Sequence, residues 1–454
     1  MAGNNASDDA PYVGSRIFNW LDHRLNLDDS FFGKAFPEDK YGSFLLGEVA
    51  LFSFVILALT GTFLGLQYNP STQKVTYSGS AIAFAGQKVP SAFASVLHIT
   101  YDTRLGMFTR MAHHWAAYLF IAAIGLHMMR VFFTGAYRNP HEPNWFVGSV
   151  LLLLALGEGY FGYALPFDNF SKTATTIGFK ITGEIPAIGG ALQTLIFGGE
   201  FPGNAAVVLP RMFFLHVFLI PALLFAGIAT HMIILIRQKH TEHANSSRTK
   251  VGTPDKDDDS IVTGVPLLPH QAAISTIVFF LTAAVVSLLA AMFPVQRIAA
   301  IGPADLASTP QNVSPDWFFM WVFGMLKMMP SLPKALTDLQ ITGGFLGGVA
   351  VPGLLVTIMV LWPIFDNPGE QIHFTKDPIK RPFQTAAGVA AIELVMVLSI
   401  DGMKNTVAAM LGTTASAIKT QLLAMTIGVP LLAFVIVYVA LRRYVKRTEA
   451  EATS

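Results

Sequence analysis

Eight long apolar stretches, separated by shorter polar segments, dominate the hydrophobic pattern of this sequence. They cover roughly residues 43–68, 111–134, 145–166, 212–236, 272–294, 341–365, 384–402 and 420–442. Each has about the 20 residues that a helix needs to cross the hydrocarbon core of a bilayer. The pattern therefore predicts an all-α polytopic membrane protein with eight transmembrane helices.

The polar segments divide the chain into five predicted parts, with four spans in each of the two large domains. In order, these are a cytoplasmic N-terminal segment (1–42), a four-helix N-terminal domain (43–236), a cytoplasmic linker (237–271), a four-helix C-terminal domain (272–443) and a cytoplasmic tail (444–454). Two connections, 167–211 and 295–340, are long but not very polar. They predict short helices at the membrane surface or, alternatively, loops that pack on a partner.

Composition agrees with a membrane protein and narrows its chemistry. Of the 454 residues, 52% are hydrophobic and 13% are charged, whereas soluble domains have about 25% charged residues. The net charge of +1 gives no sign of a nucleic acid or an acidic substrate. The sequence contains no cysteine, which excludes disulfides, cysteine-ligated iron–sulfur clusters and a covalent C-x-x-C-H haem site within it.

The distribution of basic residues predicts the orientation in the membrane. More than half of the 30 Lys and Arg lie in the terminal segments and in the connections expected on the same side. Such residues collect on the cytoplasmic side of membrane proteins. Because the number of spans is even, both termini are predicted to be cytoplasmic.

Four histidines inside the spans form the clearest chemical pattern. His113 and His127 lie 14 residues apart in the second span, and His216 and His231 lie 15 apart in the fourth. Either step returns to within about 60° of the same helix face and rises roughly 21–22 Å. Two facing helices of this kind could hold two metal centres, one near each membrane surface.

Haem iron suits these histidines better than zinc does. Zinc takes three or four close ligands, and each level offers only two histidines. Two axial imidazoles suit a haem that transfers electrons and leave no open position for oxygen. The alternative is that each histidine only bonds to a neighbouring helix, but two pairs with matched spacing favour metal centres.

Glycines and arginines near the histidines support a large planar ligand. Gly47 and Gly61 in the first span and Gly148 and Gly162 in the third repeat the 14-residue period, and glycine lets a macrocycle edge approach the backbone. Ordinary helix packing is the alternative. Three arginines within five residues of the histidines could pair with haem propionates or simply extend to the interface. They are Arg110, Arg130 and Arg211.

Several motifs resemble those of the cytochrome b subunits of bacterial cytochrome bc complexes. The similarity extends from about Trp20 to the eighth span. The motifs are residues 92–99 (AFASVLHI) followed by Arg110 and His113, residues 162–166 (GYALP), and residues 315–318 (PDWF) followed by Leu326, Lys327 and Pro330. Together they are specific to that family.

The resemblance implies two non-covalent haems b and a quinol site. His113 and His216 would bind a low-potential haem near the outer face, and His127 and His231 a high-potential haem near the cytoplasm. Quinol would be oxidised near Pro166 and the segment of Pro315, Asp316, Trp317 and Phe318, with Asp316 as the catalytic proton acceptor. An inner quinone would be reduced near the high-potential haem. Arg237, Lys239 and His23 are candidates near that surface, and Arg237 is the one assigned to the site. The alternative is that these residues only follow the positive-inside rule.

The same resemblance implies an activity, partners and a location. The chain would be part of a quinol:cytochrome c oxidoreductase that bifurcates electrons at the outer site and translocates protons. The partners would be a Rieske iron–sulfur protein, a c-type cytochrome subunit and a second copy in a homodimer. The location would be the bacterial inner membrane, without any nucleic acid partner.

The sequence departs from the family pattern at several positions. The 15-residue histidine spacing resembles the split chloroplast type, whereas the eight fused spans resemble the mitochondrial type. Asp316 replaces a Glu, Phe318 a Tyr and Phe167 a Trp, and Ile236 stands where mitochondrial-type chains carry a His. These changes fit either menaquinone or an altered geometry for ubiquinone.

Two other functions are weighed against this hypothesis. A haem b membrane anchor of a quinone-linked dehydrogenase would have fewer spans and no need for the 315–330 segment. An ion-coupled transporter would use intramembrane histidines as a proton relay and have related halves, but only the first half carries the paired histidines.

Overall fold

The computed structural model of the protein describes residues 45–139, 141–238, 269, 271–307, 314–330, 332–337, 341–367 and 378–453, together with two-residue strands at 35–36, 242–243, 265–266 and 374–375. The N-terminal segment 1–42 and the linker 237–271 lie almost wholly outside the described residues. The boundaries of the five parts therefore stay predictions.

Eight long apolar helices confirm the predicted class, an all-α polytopic membrane protein. They are α1 (Leu45–Gly65), α2 (Gly106–Thr134), α3 (Glu142–Ala164), α4 (205–238), α5 (Ala272–Met292), α6 (Gly343–Phe365), α7 (Pro382–Gly402) and α8 (Lys419–Thr453). Large apolar side chains on their outward faces, such as Leu59, Phe225 and Phe280, are exposed, as lipid contact requires.

Two helices begin at least five residues earlier than the hydrophobic pattern predicted. Helix α2 starts at residue 106 instead of 111, and α4 at residue 205 instead of 212. Arg110 and Arg211 lie within the first two turns of these helices, so hydropathy falls there while the helix continues. A helix end is set by backbone hydrogen bonds, which a hydropathy window does not detect.

Helices α4 and α6 each contain a π turn, at Leu215–Leu219 and Leu346–Ala350 respectively. A proline follows each turn, Pro221 in α4 and Pro352 in α6. Proline has no backbone N–H and its ring crowds the carbonyl four residues earlier. In both helices that carbonyl belongs to the π turn, which accounts for the local widening.

The first four helices form one bundle. Helix α1 packs on α2 and α3 packs on α4, while α5 covers α1 and α2, and α6 packs on α3. The core contains Phe120, Leu151, Tyr163 and Leu224, together with Phe318, which reaches in from the connection after α5. Helices α7 and α8 form a separate pair, and α7 also contacts α2.

The long connections contain the predicted short helices. Asn169–Gly183 and Gly189–Phe197 lie between α3 and α4, and Ile298–Ile301, Met320–Met328 and Lys334–Thr337 lie between α5 and α6. Between α1 and α2, strands Lys74–Thr76 and Lys88–Pro90 pair antiparallel before the helix Ser91–Tyr101. Strand 35–36 pairs antiparallel with 265–266, and 242–243 pairs in parallel with 374–375.

A buried polar cluster joins the two halves at the end opposite these long connections. Arg381 pairs with Asp366, and the Arg381 guanidinium also donates to the Tyr137 hydroxyl at 2.9 Å. The indole of Trp362 donates to the same hydroxyl at 2.9 Å, and Tyr137 donates to Asp366. Because only 5% of the Arg381 side chain is exposed, the acid is needed to compensate the buried charge.

Candidate functional site

The four predicted histidines meet as two pairs between α2 and α4. The ring centroids of His113 and His216 lie 6.1 Å apart, and those of His127 and His231 lie 6.3 Å apart. A metal–imidazole bond is about 2 Å long, so two rings that ligate one ion from opposite sides have centroids roughly 6 Å apart. Following the orientation predicted from the basic residues, we call the His113–His216 pair the outer level and the His127–His231 pair the inner level.

The donor set at each level fits a haem better than a zinc ion. Among the residues that the structure describes, no group of three or more His, Asp or Glu side chains could hold a metal ion. A haem iron needs only two protein ligands, both on one axis, and each level offers two histidines.

The π turn in α4 explains the unequal histidine spacings. His216 lies within this turn, and a π turn amounts to one extra residue in an α-helix. The 15-residue step to His231 is thereby brought close to the 14-residue step between His113 and His127 in the regular helix α2. Both levels can then face the partner helix at matched heights.

The four predicted glycines lie against the four histidine rings. A Cβ atom added at Gly47 or Gly148 would lie 3.5 Å from the ring of His127 or His231, and at Gly61 it would lie 3.1 Å from His113. At Gly162 the distance to the Cε1 atom of His216 would be 2.6 Å. The 14-residue glycine period therefore matches the histidine period, and at Gly61 and Gly162 the missing side chain makes room for an imidazole.

These distances predict unequal effects of alanine at two glycines. Gly162→Ala should disturb the outer level, because its Cβ would overlap the His216 ring, whereas Gly148→Ala should be tolerated, because 3.5 Å is ordinary contact. A visible spectrum of each purified variant measures the haem content. Equal loss in both variants would mean that the ring contact at Gly162 does not matter.

Two polar residues hold the imidazoles of the outer level, and the sequence analysis missed both. The Thr60 hydroxyl lies 2.9 Å from Nδ1 of His113. A carboxylate oxygen of Glu158 lies 2.9 Å, and its backbone carbonyl 3.1 Å, from Nδ1 of His216. With Nδ1 engaged in this way, Nε2 is left to bind a metal. The available signal was a polar residue inside a predicted span. Thr60 lies next to Gly61, and Glu158 lies four residues before Gly162.

The three predicted arginines have different surroundings. Arg110 lines the same cavity as His113 and donates to the backbone carbonyl of Gln296 at 3.1 Å. Arg211 instead donates to the carbonyls of Thr194 and Leu195 at 2.8 and 3.1 Å. Arg130 lies three residues after His127, at the inner level. The propionate role stays a prediction for all three, with Arg110 the best placed.

A cavity of about 320 Å³ joins the outer level to the predicted quinol segment. Its walls include His113 and His216 as well as Pro166, Asp316 and Phe318. Pro315 and Trp317 are not among the lining residues, and Trp317 is 47% exposed. The side chain of Arg237 lies outside the described part of the chain, so no inner quinone site can be described.

The catalytic candidate Asp316 has a partner that the sequence did not predict. The Tyr118 hydroxyl donates to the Asp316 carboxylate at 2.6 Å, from the helix that carries His113. Burial raises the pKa of the Asp316 carboxyl, and the Tyr118 hydrogen bond opposes that shift. Tyr118 also lines the cavity and contacts the ring of Phe318. A hydroxyl thus stands beside the acid even though Phe318 has none.

Comparison with known proteins identifies the family. A family model described as cytochrome b(N-terminal)/b6/petB matches residues 118–300, and one described as cytochrome b(C-terminal)/b6/petD matches residues 303–422. A protein of Streptomyces coelicolor named cytochrome bc1 complex cytochrome b subunit is 35% identical over 398 residues, which are 86% of this chain and 70% of the relative. The chain belongs to the cytochrome b family.

Further relatives and a solved structure agree. Proteins with the same name from Corynebacterium efficiens and Mycobacterium tuberculosis are 34% and 36% identical, over 85% and 83% of this cytochrome b chain and 70% and 67% of the relatives. A chain of a hyperthermophilic respiratory complex III superposes with a TM-score of 0.64 at 19% identity, covering 92% of this chain and 99% of that one. The latter likeness supports the fold alone.

Proposed function

We propose that this chain is the dihaem cytochrome b subunit of a quinol:cytochrome c oxidoreductase. The observation that carries the proposal is the presence of two facing histidine pairs with ring centroids 6.1 and 6.3 Å apart. When bound, a haem b at each pair accepts and passes on one electron at a time. The spacing along α2 separates the two levels by about 21 Å, which suits electron transfer across a bilayer.

Quinol oxidation is assigned to the cavity beside the outer level. Pro166 and Phe318, which line this cavity, hold the quinol ring, and the Asp316 carboxylate accepts a hydroxyl proton. Tyr118 orients that carboxylate through its 2.6 Å hydrogen bond. A base that works near neutral pH benefits from a raised pKa, and burial gives Asp316 such a shift.

We propose the remaining roles on the basis of family membership. One electron from quinol goes to a Rieske iron–sulfur partner, which delivers it to a c-type cytochrome, and the other crosses the membrane to an inner quinone site near Arg237. Protons taken up inside and released outside are thereby translocated. The relatives are named as subunits of a cytochrome bc1 complex, which supports these partners. A homodimeric assembly is proposed from the family resemblance.

The proposed location is the bacterial inner membrane, with the outer level toward the outside and both termini in the cytoplasm. Its support is the bias of basic residues and the eight apolar helices. The proposed quinone is menaquinone or ubiquinone, because the departures at Asp316 and Phe318 fit either of them.

A reduced-minus-oxidised visible spectrum of the purified chain, combined with a redox titration, tests the proposal. We expect two b-type haems with separate midpoint potentials. A correctly folded preparation without haem would overturn the proposal and favour the transporter hypothesis. A single haem would leave one histidine pair without its assigned role.

A further inference from the structure

We propose that Glu158 lowers the redox potential of the haem held by His113 and His216, and so makes the outer level the low-potential one. The inference rests on the proposed function, because it requires a haem at each level. It assigns a role to a partly buried acid in the wall of the cavity, to which neither quinol oxidation nor axial ligation gives a role.

The geometry places a carboxylate directly beside one axial ligand. Glu158 in α3 has one carboxylate oxygen 2.9 Å from Nδ1 of His216. Its other carboxylate oxygen is buried and has no hydrogen-bond partner. Within the described part of the chain, no Lys or Arg lies at ion-pair distance from this acid. The imidazole is therefore the group on which the carboxylate acts.

The chemistry fixes the direction of the effect. A carboxylate that accepts a hydrogen bond from Nδ1–H raises the basicity of the imidazole, so Nε2 becomes a stronger donor to a metal. Ferric haem carries one more positive charge than ferrous haem and gains more from a stronger donor and a nearby anion. The low dielectric of the membrane interior strengthens that electrostatic preference. The oxidised state is favoured, and the potential falls.

The other three axial ligands have no such partner. Nδ1 of His113 faces the neutral hydroxyl of Thr60 at 2.9 Å. Among the described residues, no acidic side chain lies within 4 Å of the ring nitrogens of His113, His127 or His231. The carboxylate therefore acts at the outer level alone, which would make electron transfer from the outer to the inner level favourable.

A redox titration of the purified complex carrying Glu158→Gln tests this inference. The amide keeps a hydrogen-bond acceptor but removes the charge. We expect the reduction equilibrium of one haem to change at least tenfold, an upward midpoint shift of about 59 mV or more for a one-electron couple. The midpoint of the other haem should stay in place, and the low-spin electron paramagnetic resonance signals of both should persist. Unchanged midpoints with both haems bound would overturn the inference.

Two further variants keep the test decisive. If the Glu158→Gln variant loses the outer haem, the Glu158→Asp variant is titrated in its place. Its shorter side chain moves the charge away from His216 by one methylene, so the midpoint of the outer haem must rise by a smaller amount. An unchanged midpoint would overturn the inference. Thr60→Val is the matched control, since it removes a neutral partner from the other ligand of the same haem. A shift as large as that of Glu158→Gln would show that charge is not the cause.

These results also distinguish a failure of this inference from a failure of the proposed function. Absence of haem from the unaltered complex would refute the proposed function itself. Haem at both levels with a midpoint indifferent to Glu158 would refute only the role given to this residue.

Discussion

Replacing Asp316 with Asn should slow quinol oxidation by about 100-fold or more, because a positioned general base typically contributes 10²–10⁴-fold. The amide keeps the size of the side chain but cannot accept the quinol proton. Neither histidine pair involves Asp316, so both haem spectra should be retained. Quinol-dependent reduction of cytochrome c by the purified complex, measured beside a reduced-minus-oxidised spectrum, checks both expectations.

Glu200→Gln is the matched control, since Glu200 is an exposed carboxylate in the connection between α3 and α4. Its turnover should equal that of the unaltered complex. If Asp316→Asn also turned over normally, the proton would have to leave quinol by another group, and the catalytic assignment of Asp316 would be wrong.

Removal of the Tyr118 hydrogen bond should change the pH dependence of turnover. Asp316 must be ionised to accept a proton, so turnover should rise as pH passes upward through its pKa. Burial raises that pKa, and the Tyr118 donor lowers it by favouring the carboxylate. Tyr118→Phe should therefore move the rise in turnover to higher pH and let the rate recover there. A uniform loss at every pH would indicate a role in quinol binding instead.

The sequence predicted the membrane helices and the histidine pairs because both depend on local patterns. A span requires about 20 apolar residues, and a ligand pair on one helix requires a fixed step along it. Both are visible in a single chain. The glycines were found in the same way, and they lie against the imidazole rings. The approach of a macrocycle edge to them stays a prediction.

The side chains that tune the site could not be predicted with the same ease. Tyr118 and Asp316 are 198 residues apart in the chain, and Glu158 meets His216 across a helix–helix contact. Such pairings depend on the rotation and height of packed helices, which hydropathy does not encode. The cost of a polar group within a span was the only available warning. It could have pointed to Glu158 and Thr60, but not to their partners.

The π turn shows a second limit of prediction from the sequence. The 15-residue spacing was read from the sequence as a family trait, but its mechanical cause is the widened turn around His216 that precedes Pro221. A proline in a helix predicts a local disturbance. Whether that disturbance is a kink or an inserted residue is decided by the neighbouring helices.

Removing a single axial histidine should eliminate one haem and leave the other. In His231→Ala the inner level loses one of its two ligands, so the low-spin spectrum of that haem should disappear. The outer pair stands about 21 Å away along the same helices, with Thr60 and Glu158 still holding its rings. Its spectrum should persist at its original midpoint, and His216→Ala should give the reciprocal result.

His98→Ala provides the control for these variants. His98 is half-exposed and contacts Asp102 near the start of α2, so its removal should leave both haem spectra intact. Reciprocal loss in the two axial variants requires that each pair hold its own iron. If either single substitution removed both haems from a folded complex, the levels could not be independent sites, and the assignment of one haem to each pair would have to be abandoned. Retention of both haems would be more damaging still, since it would mean that ligands outside the two pairs carry the iron.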